Sequence, residues 1–335
     1  MRRILLVLAA AAALWAAWWP LEAWRSVRAT EAWLEARRAA GWQAEWAAVE
    51  ISGFPLSYAR RIVAPRLADP GTGWAWRAPD LVLARARHPA LAQPGQVVSF
   101  PPEQEVRSPR QRLTISGGPL QAELLLEGAE ARLGGATLEA QALGVLSDAG
   151  WRMALGSARM TARAGPSAPR EVLLSLTAAD LALPAETGEA LRRADLAPRI
   201  IERLQAQAEV RFDRPWDLAA LEERRPQPRE IDLREAALRW GALELRVAGQ
   251  LTVGPEGAPE GELLVKATNW RDILAAARTT GALPEGLADA AEGALELVSR
   301  LAGSPRTLDI PLVFANGRVR IGPVPIGPAP SLALP

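Results

Sequence analysis

The sequence predicts an α+β, β-rich fold: a large, bent antiparallel sheet covered on one side by helices, with an N-terminal membrane helix. Three observations predict it. Arg2 and Arg3 precede an apolar run from Ile4 to Trp19. From Gln43 onward, short runs of alternating apolar and polar residues are separated by Gly, Pro and Asn turn signals. A few Ala- and Leu-rich stretches with helical spacing interrupt those runs.

The first segment, residues 1–24, is an anchor or a signal segment. Ile4–Trp19 as a helix reaches about 24 Å, short of a ~30 Å hydrocarbon core, and Ala23 and Trp24 bring it to an adequate length. Trp15, Trp18, Trp19 and Trp24 gather at its far end, where indoles sit among lipid headgroups. The positive start keeps the N-terminus in the cytoplasm and exports the rest. The rival reading is a cleaved signal peptide with Ile4–Ala13 as its apolar region, against which stands the lack of a small-residue cleavage site among the bulky tryptophans.

Residues 25–41 read as a helical stalk ending at Gly41, and residues 42–335 as the exported β-rich region. Gln43–Ile51 is expected as one strand before the turn Ser52-Gly53-Phe54-Pro55. Asp80–Arg87, Leu113–Ile115 and Leu120–Glu127 follow as strands. Ala129–Leu133, Thr137–Ala142 and Met153–Arg163 are expected as separate strands between glycines. Gly165–Pro169 is a candidate subdivision, or equally a long hairpin loop within one sheet. Val172–Ala178 reads as a strand and Glu186–Gln207 as one or two helices broken near Pro198. Leu243–Val253 and Glu262–Thr268 form a hairpin around Gly254-Pro255-Glu256-Gly257. Asn269 is expected to cap the next helix, with Asp272 completing a box-like arrangement. Glu285–Ala302 is the clearest helix, and Leu308–Phe314 with Arg318–Ile321 around Asn316-Gly317 the strongest hairpin.

Composition removes whole classes of function. With no cysteine there is no disulfide, thiolate metal site or cysteine nucleophile. A single histidine, His88, excludes a two-histidine metal site within one chain. Lys+Arg 39 against Asp+Glu 38 leaves a charge of +1, which argues against nucleic acid as a partner. No GxSxG motif occurs, and the sole lysine, Lys266, lies within a strand, so there is no phosphate-binding GxxxxGK. His88 stands at a strand end beside Pro89, with no serine marked as its partner. Glu103 and Glu105 share a face and could pair as acid and base, yet read as a solvated edge; Glu222-Glu223 reads as polar loop. No catalytic, cofactor-binding or metal-binding residue is assigned, and the chain is read as no enzyme. Trp74 and Trp76 share a face as core packing or as an aromatic wall for an acyl chain or sugar ring.

Several segments together resemble an alphaproteobacterial envelope family, domain of unknown function 2125. They are the N-terminal run, Ile51-Ser52-Gly53-Phe54-Pro55-Leu56, Trp74-Ala75-Trp76 with Ala78-Pro79, Phe100-Pro101-Pro102-Glu103-Gln104, and Asn316-Gly317-Arg318 with Ile321-Gly322-Pro323-Val324-Pro325. The resemblance implies an exported, membrane-tethered protein and brings no catalytic residues with it. More loosely, long alternating strands behind one anchor are similar to AsmA-type envelope proteins, whose bent sheets carry an apolar groove and are linked to lipid transport. A sheet with two fairly apolar faces would cover one with helices and offer the other to a hydrocarbon ligand. The expectation is therefore a protein of the bacterial inner membrane, its bulk in the periplasm. It binds lipid in a groove beside helices such as Glu285–Ala302. The alternative is a scaffold or adaptor for other envelope proteins.

Overall fold

The computed structural model describes residues 23–334, apart from 54–57, 88–93, 129–131, 166–168, 218–219, 221–224, 282–287, 290, 294, 297–298, 300–306 and 323. The chain forms two compact units, residues 1–123 with 145–150, and residues 124–144 with 151–335. The apolar run Ile4–Trp19 lies outside the described residues. Among those described, no helix is long and apolar enough to cross a membrane.

In the first unit, residues 23–39 form helix α1. Ala23, Thr30 and Leu34 are buried at helical spacing, while the exposed Trp24 and Trp33 stack under Arg28 and Arg37. Eight short strands follow: β1 (Gln43–Glu45), β2 (Ala48–Ser52), β3 (Ala59–Val63), β4 (Arg66–Asp69), β5 (Trp74–Arg77), β6 (Asp80–Arg87), β7 (Pro94–Phe100) and β8 (Glu103–Arg107). They are four long meander strands, each cut in two. One ladder runs β2–β3–β6–β7, and the other β1–β4–β5–β8, which β9 (Arg112–Gly117) extends.

The four cuts align at Trp46-Ala47, Ala64-Pro65, Ala78-Pro79 and Pro101-Pro102. Proline has no N–H for a ladder, so a row of them interrupts the sheet along one line. The remaining donors bridge the gap: Ala47 N–H donates to Val63 O (2.9 Å), Ala64 N–H to Pro79 O (2.8 Å) and Ala78 N–H to Pro65 O (3.2 Å). The single strand expected over Gln43–Ile51 is thus two, because the Ala-Pro pairs of its neighbours impose a break opposite Trp46-Ala47.

Next in the chain come β10 (Leu120–Glu127) and β11 (Arg132–Ser147). The second unit is built on a meander of nine further antiparallel strands, each paired with the one before it. They are β12 (Arg152–Ala164), β13 (Glu171–Ala182), β14 (Ile200–Phe212), β15 (Pro228–Trp240), β16 (Leu243–Val253), β17 (Pro259–Thr268), β18 (Thr307–Ala315), β19 (Arg318–Ile321) and β20 (Val324–Pro328). Gly165 and Pro169 belong to the connection between β12 and β13, neighbours in one sheet. Asn316 (φ 53°) and Gly317 (φ 70°) turn β18 into β19 with the left-handed pair that a two-residue hairpin requires.

Three sequence expectations are corrected. Glu186–Gln207 is helical only over α2 (Ala185–Arg193); Ile200 onward is β14, where Leu204, Ala206, Ala208 and Val210 alternate and strands pair on both sides. Pairing partners override the helix preference of alanine and glutamine. Residues 132–147 form the one strand β11, in which Gly134, Gly135 and Gly144 are internal and do not end it. Asn269 does precede helix α3 (Trp270–Thr279), but in the left-handed conformation (φ 56°) and without a side-chain cap; its amide donates to Ala242 O at 2.8 Å. Of the expected helix Glu285–Ala302, the described residues from 288 to 299 are helical, with Ala288, Ala291, Leu295 and Ser299 buried on one face.

Gly249 in β16 has φ of +148°, and a Cβ there would stand 2.3 Å from Glu262 O on β17. Gly249→Ala is expected to cost about 3 kcal/mol through strain and overpacking. Urea denaturation checks this, and an unchanged midpoint would refute the close approach.

Candidate functional site

The site is a consequence of strand alternation in the second unit. Met160, Leu176, Ala206, Ala236, Val247, Val265 and Ile310 oppose one another in register across seven strands, from β12 to β18. Their immediate neighbours in sequence form the matching row on the other face: Arg159, Thr177, Gln205, Ala237, Arg246, Lys266 and Asp309. One row is therefore apolar over its whole width, and the other is polar but for Ala237. The expectation of two fairly apolar faces is overturned along these rows, because the period of two segregates the side chains.

The apolar face is covered at its two ends. On one side, Trp270 and Leu274 of α3, with Ala288, Ala291 and Leu295, pack on Ala267, Leu308, Ile310 and Ile321. Leu191 of α2 and Ala276 of α3 join Trp240 and Leu243. At the other end, Trp216 packs with Val172, Val210 and Phe212, its ring edge-on to Phe212 at 5.5 Å. Ala329 and Leu332 of the C-terminal segment pack on Leu251, Phe314 and Val319. Between these covers runs a band containing Leu176, Ala206, Ala236 and Val247. Each of the four is only half-buried, and none belongs to the clusters on either side. Met160, at one end of the row, is 47% exposed.

The polar face is closed by ion pairs: Arg159 with Glu139 at 3.1 Å, Arg234 with Glu209 at 2.8 Å and Lys266 with Asp309 at 3.1 Å. Such exposed pairs contribute little individually. A shallow cavity of about 340 Å³ lies on this face, lined by Ser157, Arg159, Thr177, Arg203 and Gln205 among others. At the start of β13, Glu171 is buried opposite Arg211. Burial raises its carboxyl above the ordinary range, and the neighbouring Glu209 raises it further by charge and hydrogen bond. Arg211 and Arg234 oppose the shift.

In the first unit the motif residues come together. Trp76 Nε1–H donates to Gln104 Oε1 at 2.8 Å, and the Trp76 ring stands edge-on to Phe100 at 6.2 Å. Gln104 is buried, so this bond satisfies a carbonyl with no water to turn to. Trp76 thus packs, while Trp74, on the same face, is 51% exposed. Glu103 and Glu105 do share the opposite face to Gln104. Glu105 is held by Arg77 at 2.6 Å and Arg112 at 3.5 Å, whereas Glu103 is exposed. His88, Glu222 and Glu223 lie outside the described residues. No group of three or more possible metal ligands occurs among the described residues.

Two of the four aligned breaks, Ala78-Pro79 and Pro101-Pro102, and the Trp76–Gln104–Phe100 contact fall on segments that carry the family resemblance. A family model described as an uncharacterized protein conserved in bacteria matches residues 19–330. The chain belongs to this family, domain of unknown function 2125. No curated protein and no solved structure matches it. Residue alternation points to the band's strands β13 and β16, but not to β14, which reads as helix, nor to the pairing that aligns them. No signal in the sequence marks which part of that face the helices leave uncovered.

Trp76→Phe removes the indole donor to the Gln104 carbonyl and is expected to destabilise the chain by about 1–2 kcal/mol; a denaturation midpoint equal to wild type would refute that bond. The proton on Glu171 is held to higher pH in the folded than in the unfolded chain. Its contribution to stability is fully present below the unfolded carboxylate pKa and is lost as pH rises through the folded value. Glu171→Gln should therefore flatten the fall in unfolding free energy between weakly acidic and neutral pH, measured by urea titration across that range.

Proposed function

We propose that the protein is a non-catalytic binder of an apolar or amphiphilic envelope component, lipid in the first instance. The half-buried band between the helical cover and the Trp216–Leu332 cover would seat the hydrocarbon. This band carries the reading, because it is apolar surface with structure built on either side of it and, among the described residues, none of those clusters over its centre. The five strands from Met160 to Val247, at about 4.8 Å spacing, extend about 19 Å, enough for the roughly 15 Å that one leaflet of a bilayer core allows an acyl chain. Binding would be driven by transfer of the chain from water, at about 0.8 kcal/mol per buried methylene.

The same reading includes an inner-membrane anchor over the apolar run that begins at Ile4, with the bulk of the chain in the periplasm. It rests on the run's arginine-flanked start and its tryptophan-rich end. The sheet would then meet its ligand close to the bilayer. A scaffold or adaptor role is the second reading. It is favoured by exposed leucines, Leu124 and Leu126 in β10 and Leu138 in β11, which a partner protein could cover.

Native mass spectrometry of the full chain from a bacterial host, released from a nonionic detergent, tests the choice. Co-purifying phospholipid is expected, with severalfold lower occupancy in Val247→Thr, which keeps side-chain shape and adds a hydroxyl to the band. A chain that carries no lipid and takes up none when offered would overturn the lipid reading, and crosslinking to protein partners would then test the adaptor.

A further inference from the structure

The first unit holds two guanidinium groups that, among the described residues, lack the carboxylate partner that arginines close to them have. On β3, Arg61 points to one face and binds Asp80 through Nε at 2.8 Å. Its neighbour Arg60 lies on the opposite face, in register between Ile51 of β2 and Leu83 of β6. It is half-buried, and among the described residues its five N–H bonds find one acceptor, Thr30 Oγ1 of α1, at 3.1 Å. That hydroxyl is itself committed, donating to Ser26 O at 3.0 Å.

Arg85 follows two residues after Leu83, on the same face as Arg60 and diagonal to it. Its backbone N–H donates to Tyr58 O at 3.4 Å, and its guanidinium stands 5.9 Å from the centre of the Tyr58 ring. No carboxylate pairs with either arginine among the described residues. By contrast Arg66, Arg77 and Arg112 on the neighbouring ladder all have glutamate partners. Burial holds the Arg60 guanidinium below its ordinary pKa; Tyr58 opposes that shift and the charge of Arg85 adds to it. Two like charges on an apolar sheet face, one of them half-desolvated, are a standing electrostatic cost. An oxyanion between them would remove that cost, and the fork of each guanidinium offers parallel N–H donors to it.

The geometry points to a phosphate-binding site formed by Arg60 and Arg85 beside Thr30 and Tyr58, for a phosphate group borne by a lipid or free in solution. The apolar side chains flanking Arg60, Ile51 and Leu83, would accept the adjoining hydrocarbon of a lipid. This inference stands apart from the sheet band of the second unit and does not require it.

The test is isothermal titration of the full chain in a nonionic detergent with dihexanoyl phosphatidic acid, inorganic phosphate and dihexanoylglycerol. Phosphatidic acid should bind, and R60K and R85Q should each weaken it about tenfold. R60K keeps a cation for Thr30 and loses the fork, so it guards against simple misfolding. R61Q, on the opposite face, should leave the affinity unchanged. Inorganic phosphate binding as tightly as phosphatidic acid would identify a free anion as the ligand; phosphatidic acid binding alone would identify a headgroup. Absence of binding by both, or equal affinity in wild type, R60K and R85Q, would overturn the site. Dihexanoylglycerol carries no phosphate and reads the sheet band separately, so either proposal can fail while the other stands.

Discussion

The second unit depends on one constraint: an antiparallel meander of nine strands has placed an apolar row seven strands wide on one face, and that face must leave water. The segregation follows from pairing registers across seven strands, which keep Met160, Leu176, Ala206, Ala236, Val247, Val265 and Ile310 in one row and the polar row one residue away on the other side. The covering elements of the unit answer to it. Helices α2 and α3 and the helical residues from 288 bring Leu191, Trp270, Leu274 and Leu295 down onto one end. The connection after β14 brings Trp216, and the chain after β20 brings Leu332, onto the other. The polar face needs no such cover, since cross-strand ion pairs keep its surface wet.

The first unit solves a different problem with the same topology. Its four long strands would form an uninterrupted ladder, but prolines at 65, 79, 101 and 102 remove donors along one line, and Ala64 takes φ of 49° to cross it. Two ladders result from one meander. The Trp76–Gln104 hydrogen bond lies just beyond that line, where β5 and β8 are neighbours. A buried amide joined to an indole fixes the register that the missing backbone bonds cannot.

These two devices explain what the sequence could and could not convey. Hairpins with strong local turn chemistry, at Gly254–Gly257 and Asn316-Gly317, were legible because the turn residues themselves dictate the conformation. Residues 200–207 were not, since Glu202, Gln205 and the alanines suit a helix, and only pairing with β13 and β15 makes them a strand. The Ala-Pro and Pro-Pro pairs were visible, but their meaning is collective: one proline ends a strand, whereas four cuts in register divide a sheet. The apolar row was likewise present in the letters of β12, β13, β16, β17 and β18 one strand at a time, with Ala206 of β14 hidden in the helix-like stretch. What selects its half-buried centre is where α3 and Trp216 stop, a tertiary fact. Asn269 shows the converse, a residue in the right place for a cap whose amide is drawn instead to Ala242 O.

The departures from consistency are as informative as the rule. A sequence that sets cross-strand acids beside Arg61, Arg77, Arg159, Arg211, Arg234 and Arg239 had the means to neutralise Arg60 and Arg85. It placed Ile51 and Leu83 beside Arg60 instead. Among the described residues, the same sequence covers both ends of an apolar face and leaves Leu176 and Val247 between them only half-buried. Neither feature lowers the free energy of the isolated chain. Local choices that oppose stability concentrate where a fold serves something other than itself. Here they fall at one cationic position in the first unit and one apolar band in the second.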